Sequence, residues 1–529
     1  MSGFASSRRG FMIGGLSGVA LAGLPALAAS PARLEDLAGE WAERFRAAFD
    51  VPGLAVAVVR QNQPDFTEGY GVRVLGQPAP VDRHTLFGIA SNSKAFTAAA
   101  LAMLVDAGKI GWEDPVTRYI PEFRMSDPIV TKLMTVRDLL VHRSGLAIGA
   151  GDLMEFPAST HTTDDILHGL QYLKLERGFR AGYAYDNILY IVAGILIQRV
   201  SGQSWEDFVT ARLLKPLGMT ETVAVRSRIR TDNVSGRHAR LGPPMRGMGP
   251  MRVVPPDEQD KIAAAGGINT NVNDVPAWFR VQLNRGTLPN SQGLWSAAQA
   301  QEMWTPQTIT ESGPGPAADN PARPVIEAYA LGWDVQDYRG QRLLSHGGGL
   351  TGQITRHALL PELGCAVAVY TNVEDGYVAT GLRNSLLDWL VEAPAYDWLA
   401  AMQRRRAKRE ADALKEVSGS GLRQPAGGLS LPLSAYAGRY RDPWYGDIVV
   451  ATKGKQLTID FTRTPVFKSL LEPWGPDTVR TRFPAEAGED AVVTFAVKNG
   501  AVTGVTMKPL SPLADFSFDY QHLDFVPVR

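Results

Sequence analysis

A long apolar run directly behind a serine and a lysine places the strongest constraint on how this chain can fold. Residues Ala95 to Val105 contain no Gly or Pro and are rich in Ala, Leu and Met, so they predict a helix that is buried over most of its surface. Ser91 and Lys94 stand just ahead of this run. If the helix begins at Ser91, residue i+3 stacks on the same face as residue i, and the hydroxyl and the amine come within reach of each other.

This pair has the chemistry of a nucleophile and its base. A serine hydroxyl is a weak nucleophile at neutral pH, and a lysine accepts its proton only when burial or a neighbouring charge keeps the amine neutral. The apolar helix supplies that burial. A serine followed three residues later by a lysine also arises by chance in long chains, so the motif alone leaves a structural role open.

A polar triplet precedes a second apolar run. Tyr185, Asp186 and Asn187 are followed by the apolar run 188–196, which predicts another core element. Beside a cationic lysine, a tyrosine hydroxyl can shuttle protons, and Asn187 can donate its amide to a substrate carbonyl. An ordinary buried tyrosine with a capping Asn and Asp is the alternative.

A glycine-rich segment follows a third, strand-like stretch. His346 comes directly before Gly347, Gly348 and Gly349. Glycines let a ligand backbone approach a strand edge closely, and their N–H groups can form an oxyanion hole. A flexible turn explains the same residues equally well.

Taken in order, the three segments resemble the serine hydrolases of the class C β-lactamase, penicillin-binding protein and D-aminopeptidase group, which show S-x-x-K, Y-x-N and K-T-G or H-x-G. Thr135–Leu146, Ala264–Thr270 and Tyr329–Trp333 are similar to further segments of that family. The resemblance covers about residues 36–395. It implies an α/β (α+β) fold, in which a β-lactamase-like antiparallel sheet flanked by helices lies beside an all-helical region, with the site in the cleft.

The resemblance also implies a role for each matching residue. Ser91 is the nucleophile that becomes acylated, and Lys94 and Tyr185 share the proton transfer, with neither assigned as the base. The residues that the resemblance assigns to substrate binding are Asn187, His346, Gly348 and Gly349. Backbone N–H groups of Ser91 and Gly349 hold the oxyanion, and water then cleaves the acyl-enzyme.

Two departures from the family pattern bear on the activity. Position 346 is His where Lys is common, so a group that is mostly neutral at pH 7 replaces the fixed charge that attracts a carboxylate. This argues against an efficient β-lactamase. Asn92 and Asp186 stand where small or apolar residues are usual, and a carboxylate near Tyr185 disfavours the phenolate.

The first 29 residues predict a twin-arginine signal peptide. Arg8 and Arg9 precede a Gly- and Ala-rich apolar stretch over 11–27, and small residues follow at a cleavage site near Ala28. The stretch is too short and too interrupted by glycines for a membrane-spanning helix, so we expect an exported, periplasmic protein without a stable membrane span after signal removal. The single cysteine, Cys365, permits no internal disulfide and is expected in the core.

Composition argues against several other functions. The 54 basic and 54 acidic residues balance, so no charge excess indicates a nucleic-acid partner. Eight histidines are scattered without metal-ligand spacing, and we predict neither a metal nor a cofactor. The predicted partner is a small-molecule or peptide substrate, and the sequence leaves the oligomeric state open.

Strand and turn signals predict the domain organisation. We expect a hydrolase domain over 33–395, a charged helix and flexible linker over 396–430, and a small barrel over 431–529. Strands of the hydrolase domain are predicted over Leu54–Arg60, Phe66–Val72, Leu331–Val335, Gln341–Leu344, Ile354–Leu360 and Cys365–Thr371.

The last region predicts an antiparallel β-barrel without a catalytic set. Residues 433–440 resemble the start of the lipocalin-like barrel that is often appended to these hydrolases. Lys453-Gly454 and Asn499-Gly500 supply hairpin turns. Strands are predicted over Asp447–Ala451, Gln456–Phe461, Thr478–Phe483, Ala491–Val497 and Val502–Met507.

The leading hypothesis is an exported serine hydrolase that cleaves an amide or ester through an acyl-enzyme, as a D-aminopeptidase-type peptidase or an esterase. A β-lactamase or cell-wall carboxypeptidase is the first alternative, which rapid nitrocefin turnover would favour. A binding protein that is acylated by penicillin-like ligands and acts as a sensor is the second. A permanently trapped adduct would favour the sensor hypothesis.

Overall fold

The computed structural model describes residues 33–243, 245–257, 259–419 and 427–528. The predicted signal peptide, residues 1–29, and part of the predicted linker lie outside the described residues. Within the described ranges, no helix combines the length and the apolar character that crossing a bilayer needs.

The first part of the chain folds around an antiparallel sheet. Its strands are β1 (Gly53–Arg60), β2 (Phe66–Gly71), β3 (Phe87–Gly88), β4 (His238–Arg240), β5 (Met251–Val253), β6 (Asn269–Thr270), β7 (Thr308–Ser312), β8 (Ile326–Tyr329), β9 (Asp334–Tyr338), β10 (Gln341–Leu350), β11 (Gln353–Leu360) and β12 (Cys365–Thr371). Among the described residues, eight strands form one sheet in the order β2-β1-β12-β11-β10-β9-β8-β7. The short strands pair separately, β3 with β6 and β4 with β5.

Helices cover both faces of this sheet. They are α1 (Leu34–Ala48), α2 (Lys94–Asp106), α3 (Pro128–Leu133), α4 (Thr163–Gly169), α5 (Ile188–Ser201), α6 (Trp205–Val209), α7 (Lys215–Leu217), α8 (Ala263–Gly266), α9 (Val275–Leu283), α10 (Ala297–Trp304), α11 (Gly376–Leu390) and α12 (Trp398–Gly419). α1 and α11 pack on one face, while α9 and the helical region around α2, α5 and α8 lie on the other. This architecture confirms the predicted fold class.

Burial on both faces explains the unbroken apolar sequence of the central strands. Along β1, Val56 and Val58 pack towards α1 and α11, and Ala55 and Ala57 pack into the larger core on the opposite face. Successive side chains of a strand alternate between faces, so no position from Leu54 to Val59 is left for a polar residue. The same reason applies to α2, which is buried along nearly its whole length.

Four predicted strands are confirmed to within one residue, as β1, β2, β11 and β12. The prediction over 331–335 is wrong for its first three residues, because Gly332, with a φ of 77°, turns the chain there and β9 begins only at Asp334. A Cβ on Gly332 would lie 2.8 Å from the Lys94 carbonyl oxygen, so the turn packs tightly against the start of α2. β10 continues to Leu350, which places the three glycines within a strand. β7 and β8 have no counterpart among the predictions.

A closed antiparallel barrel follows and confirms the predicted β-barrel. Its strands are β13 (Gly438–Asp442), β14 (Gly446–Lys453), β15 (Gln456–Phe461), β16 (Lys468–Gly475), β17 (Thr478–Arg480), β18 (Ala491–Lys498), β19 (Ala501–Pro509) and β20 (Asp524–Pro527). Buried aromatic rings pack against one another inside it, among them Tyr445, Phe461 and Phe525. Sequence patterns predict five of these strands and miss β13, β16 and β20.

The barrel packs against the first domain beside the helical region. Asp519 accepts hydrogen bonds from the backbone N–H groups of Gly151 at 2.8 Å and Leu153 at 3.0 Å. Arg463 forms an ion pair with Asp165. The Asp519 contacts hold the segment between β19 and β20 close to residues 149–153, and the ion pair joins the connection between β15 and β16 to α4.

Candidate active site

Ser91 lies in a short turn ahead of α2. Residues Ala90–Ser93 form a 3₁₀ helix, where the sequence predicts the first turn of the α-helix. Ala90 has a φ of 47°, a left-handed conformation that is costly for a residue with a Cβ. Asn92 fixes the turn to the sheet, because its Nδ2 donates to Thr355 Oγ1 at 2.8 Å. The turn presents Ser91 at the wall of a cavity of about 630 Å³.

Lys94 is buried against Ser91. Its Nζ lies 3.1 Å from Ser91 Oγ, 2.7 Å from Asn187 Oδ1 and 3.0 Å from the carbonyl oxygen of Ala265. Burial lowers the pKa of Lys94 to about 7, although the negative charge of Glu155 acts in the opposite direction. The neutral amine is therefore far more accessible near neutral pH than for an exposed lysine.

Tyr185 approaches the same hydroxyl. Its OH donates to Ser91 Oγ at 2.8 Å, and its ring lies 4.3 Å from the His142 ring and 4.9 Å from Lys94 Nζ. Burial raises the pKa of Tyr185 well above its usual value. The sequence predicts this direction from Asp186, but burial is the main cause.

Asn187 connects the site to the second domain. Its Nδ2 donates to Asp152 Oδ2 at 3.0 Å, and Ser517 Oγ, from the loop before β20, donates to the same oxygen at 2.7 Å. Beside it, the Phe516 ring packs edge-on against Tyr185 with centroids 5.7 Å apart. Ser517 is 365 positions from Asp152, so spacing along the chain gives no signal of the contact.

His346 faces the protein interior. Its Nδ1 lies 2.6 Å from the carbonyl oxygen of Gly347, and its Nε2 lies 2.9 Å from the Tyr329 hydroxyl. A carbonyl only accepts, so Nδ1 carries the proton and Nε2 accepts from Tyr329. Burial and the nearby charge of Lys94 lower the pKa of His346 to about 3, so the ring is neutral. Both ring nitrogens are occupied by protein groups.

The glycines of β10 pass close to the Ser91 turn. β9 pairs with β10 only as far as Ser345, and no described strand pairs with residues 346–350 on that side. Gly349 lines the cavity together with Ser91, so the two residues predicted to hold the oxyanion border the same space. Gly348 is buried behind it.

Replacing Gly348 with alanine should lower the free energy of unfolding by about 2 kcal/mol or more. The added Cβ would lie 2.1 Å from the carbonyl oxygen of Ile89 and 2.5 Å from Thr355 Oγ1, so β10 would have to move away from the turn. Gly349→Ala is the matched control and should cost less than about 1 kcal/mol, since its nearest neighbour is Ile354 Cδ1 at 3.4 Å. Urea unfolding measures both, and equal losses would contradict the expectation.

The structure thus brings part of the predicted set together. One hydrogen-bonded group joins Ser91, Lys94, Tyr185 and Asn187. Gly349 lies on the same cavity, while His346 and Gly348 lie outside its lining. Cys365 is buried, as expected. Within the described ranges, no cluster of His, Cys, Asp or Glu is arranged to hold a metal ion.

The fold and this group of residues define a class of protein, the serine hydrolases with a β-lactamase fold. The family model described as Beta-lactamase matches residues 40–388, and the chain belongs to this family. A second model, a domain of unknown function called DUF3471, matches residues 422–527, which include the barrel.

Known proteins are similar to both parts of the chain. The unguisins hydrolase of Aspergillus campestris is 31% identical over 419 residues, which are 76% of this chain and 74% of that protein. The octameric penicillin-binding protein homologue from Pyrococcus abyssi is 19% identical with a TM-score of 0.59, over 93% of this chain and 99% of its own. The D-amino acid amidase from Ochrobactrum anthropi is 21% identical with a TM-score of 0.54, over 70% of this chain and 99% of its own. At these identities the two solved structures show a shared fold.

Proposed function

We propose that this protein hydrolyses an amide or ester through an acyl-enzyme formed on Ser91. One observation carries the proposal: Lys94 Nζ and the Tyr185 hydroxyl both lie within hydrogen-bond distance of Ser91 Oγ, at 3.1 and 2.8 Å. A hydroxyl with two proton-transfer groups at this distance, on the wall of a cavity, is arranged for nucleophilic attack.

Lys94 is the base in this proposal. A neutral amine has two N–H donors and one lone pair, and Lys94 has two partners that can only accept, Asn187 Oδ1 and the carbonyl oxygen of Ala265. With both N–H groups donated there, the lone pair points to Ser91 and accepts its proton. Tyr185 keeps its proton at neutral pH, because its pKa is raised.

The reaction then runs in two balanced steps. The Ser91 oxygen bonds to the substrate carbonyl carbon while its proton moves to Lys94, and the N–H groups of Ser91 and Gly349 hold the oxyanion. The bond to the leaving group breaks as Tyr185 gives its hydroxyl proton to that group and takes up the proton that Lys94 holds, which restores both side chains. Water then attacks the carbonyl carbon of the acyl-enzyme with the same proton transfers. This second step releases the acid and restores the Ser91 hydroxyl.

The proposed substrates are peptide-like amides, with short esters next. The relatives named as an amidase and as a hydrolase of unguisins support amide cleavage. β-Lactamase or carboxypeptidase activity is the second candidate, which the fold favours, but the neutral, interior-facing His346 supplies no charge for a substrate carboxylate. The twin-arginine pattern of the sequence supports a further proposal, that the protein works in the periplasm.

Active-site labelling tests this function. Full-length protein is treated with a fluorophosphonate or a fluorescent penicillin, and the modified residue is mapped by mass spectrometry. Aminoacyl amides of both configurations, p-nitrophenyl esters and nitrocefin are then compared as substrates. We expect modification of Ser91 with multiple turnovers on an amide or ester. An acyl adduct that never releases product would point to the sensor, and a label on another residue would overturn the proposal.

The pH dependence of turnover should follow the titration of the Lys94 amine. Only the neutral amine accepts a proton, and its pKa lies near 7, so kcat/KM should rise about tenfold per pH unit below 7 and level off above it. With a lysine of ordinary pKa, this rising limb of the kcat/KM profile would extend to about pH 10.5. Initial rates from pH 5 to 10 on a neutral ester measure the profile, and a limb that is still rising at pH 10 would contradict the expectation.

A further inference from the structure

The amide of Asn187 directs the lone pair of the Lys94 amine. Its Oδ1 lies 2.7 Å from Lys94 Nζ and accepts one of the N–H groups. If the two ends of the amide were exchanged, Nδ2 would donate to the lone pair of the amine and an N–H would turn towards Ser91. The base would then have no lone pair for the Ser91 proton, so the orientation of this amide matters for the proposed reaction.

Asp152 fixes which end of the amide faces Lys94. Its Oδ2 accepts from Asn187 Nδ2 at 3.0 Å, and in the exchanged orientation two oxygens would face each other. Burial, together with the charge of Glu155, raises the pKa of Asp152 well above its usual value. Oδ2 already takes two donors, so a proton on Asp152 would sit on the other oxygen, and Oδ2 accepts in either state.

Ser517 of the second domain holds this carboxyl group in place. Its Oγ donates to the same Oδ2 at 2.7 Å, and Asp152 is 0% exposed, so little water competes for the bond. A short hydrogen bond to a buried carboxyl group is among the stronger hydrogen bonds between side chains. The hydroxyl of Ser517 and the amide of Asn187 therefore fix Oδ2 from two directions.

The backbone on both sides of Asp152 is held by the same segment of the barrel domain. Asp519, two residues after Ser517, accepts hydrogen bonds from the N–H groups of Gly151 at 2.8 Å and Leu153 at 3.0 Å. Side chain and backbone of Asp152 thus have the same external support. The position of its carboxyl group depends on the second domain.

Close packing gives this contact little freedom. A Cβ on Gly149 would lie 2.6 Å from the carbonyl oxygen of Phe516, the neighbour of Ser517. The N–H of Gly149 donates to the carbonyl oxygen of Tyr185 at 2.9 Å. The segment that carries Ser517 is therefore packed on a loop that is itself bonded to the catalytic residues.

We propose that Ser517 is a positioning residue for catalysis. Through Asp152 it sets the orientation of the Asn187 amide, and thereby the direction in which the Lys94 lone pair points. The barrel domain then completes the active site, although it contains no catalytic residue of its own. This inference rests on the proposed function, because it takes Lys94 as the base.

Removing the hydroxyl tests this role in the full-length enzyme. We expect Ser517→Ala to lower kcat on a p-nitrophenyl ester about tenfold and to change KM less than about twofold, because Lys94 acts in both steps while the cavity wall keeps its shape. Ser517→Thr restores a hydroxyl and should recover most of the rate. Ser517→Val has the shape of threonine without the hydroxyl and should not. If Ser517→Ala does not fold by circular dichroism, the threonine and valine variants carry the same comparison.

Two controls separate positioning from a loss of folded protein. The final yield of fluorophosphonate labelling counts the intact sites, and Ser517→Ala should reach the wild-type yield more slowly. Ser511→Ala is the matched control in the same segment, since its Oγ accepts from the backbone N–H of Leu513 at 3.1 Å, and it should keep the wild-type kcat. An unchanged kcat in Ser517→Ala, or equal rates for Ser517→Thr and Ser517→Val, would overturn the inference.

A spectroscopic measurement separates this inference from the proposed function. In full-length protein with ¹⁵N-labelled asparagine, the side-chain amide signal of Asn187 is assigned by its absence in Asn187→Ser. We expect this signal to move in Ser517→Ala and Ser517→Val and to return towards its wild-type position in Ser517→Thr, even where the wild type hydrolyses nothing. A signal at the same position in the wild type and all three variants overturns the inference even where hydrolysis is found.

Discussion

Ser91→Ala should lower the rate of ester and amide hydrolysis by at least about 10⁴-fold, because the oxygen that forms the acyl-enzyme is gone. Lys94 and Tyr185 lose a shared partner but keep their other contacts, so the fold should persist. Steady-state rates on a p-nitrophenyl ester and the yield of fluorophosphonate labelling measure the effect.

Ser93→Ala is the matched control for this experiment. Ser93 lies two positions further along the same 3₁₀ turn, and its Oγ accepts a hydrogen bond from the backbone N–H of Ile268 at 3.1 Å. Its loss should cost about 1 kcal/mol of stability and leave the labelling site in place. Labelling that survives in Ser91→Ala, or disappears in Ser93→Ala, would contradict the assignment of the nucleophile.

Lys94→Met should slow acylation by about 10³-fold, because the substitution keeps an unbranched buried side chain and removes the proton acceptor. The limb of the pH profile near 7 should disappear with it, since that limb is the titration of the Lys94 amine. Single-turnover labelling rates between pH 5 and 10 measure both effects.

Tyr185→Phe separates the two proton-transfer residues. The variant keeps the ring against His142 and removes only the hydroxyl that donates to Ser91. We expect a loss of about 10²-fold or less, with the limb near pH 7 retained. If the limb disappears in Tyr185→Phe and persists in Lys94→Met, the tyrosine is the base.

Sequence patterns predict best the helices and strands that are buried on all sides, because burial requires an unbroken run of apolar residues. α2, α5 and the central strands have long apolar runs because tertiary packing covers them on all sides. The contact between Ser91 and Lys94 follows from a spacing of three residues in one turn, which the 3₁₀ geometry preserves. Tyr185 and Asn187 could be placed only through the order of motifs that the family shares.

The features that the sequence does not predict depend on contacts between distant residues. β16 and β20 contain Pro473 and Pro527, and closure of the barrel, more than their own propensity, makes them strands. Asp152 and Glu155 lie in and directly after a short 3₁₀ turn that has no periodic signal in the sequence, and the contact of Ser517 with Asp152 depends on the packing of the two domains. The signal peptide and the roles of the site residues stay predictions.

The position of the barrel narrows the space beside Ser91. The cleft holds about 630 Å³, in the range of small-molecule sites, and residues 513–518 of the second domain form one of its walls. Asp519 ties that wall to the neighbouring loop through two backbone N–H groups. Under the proposed function, we therefore expect small ligands and chain ends to reach Ser91 more readily than the middle of a folded polypeptide. Substrate length would then be selected alongside the chemistry of the scissile bond.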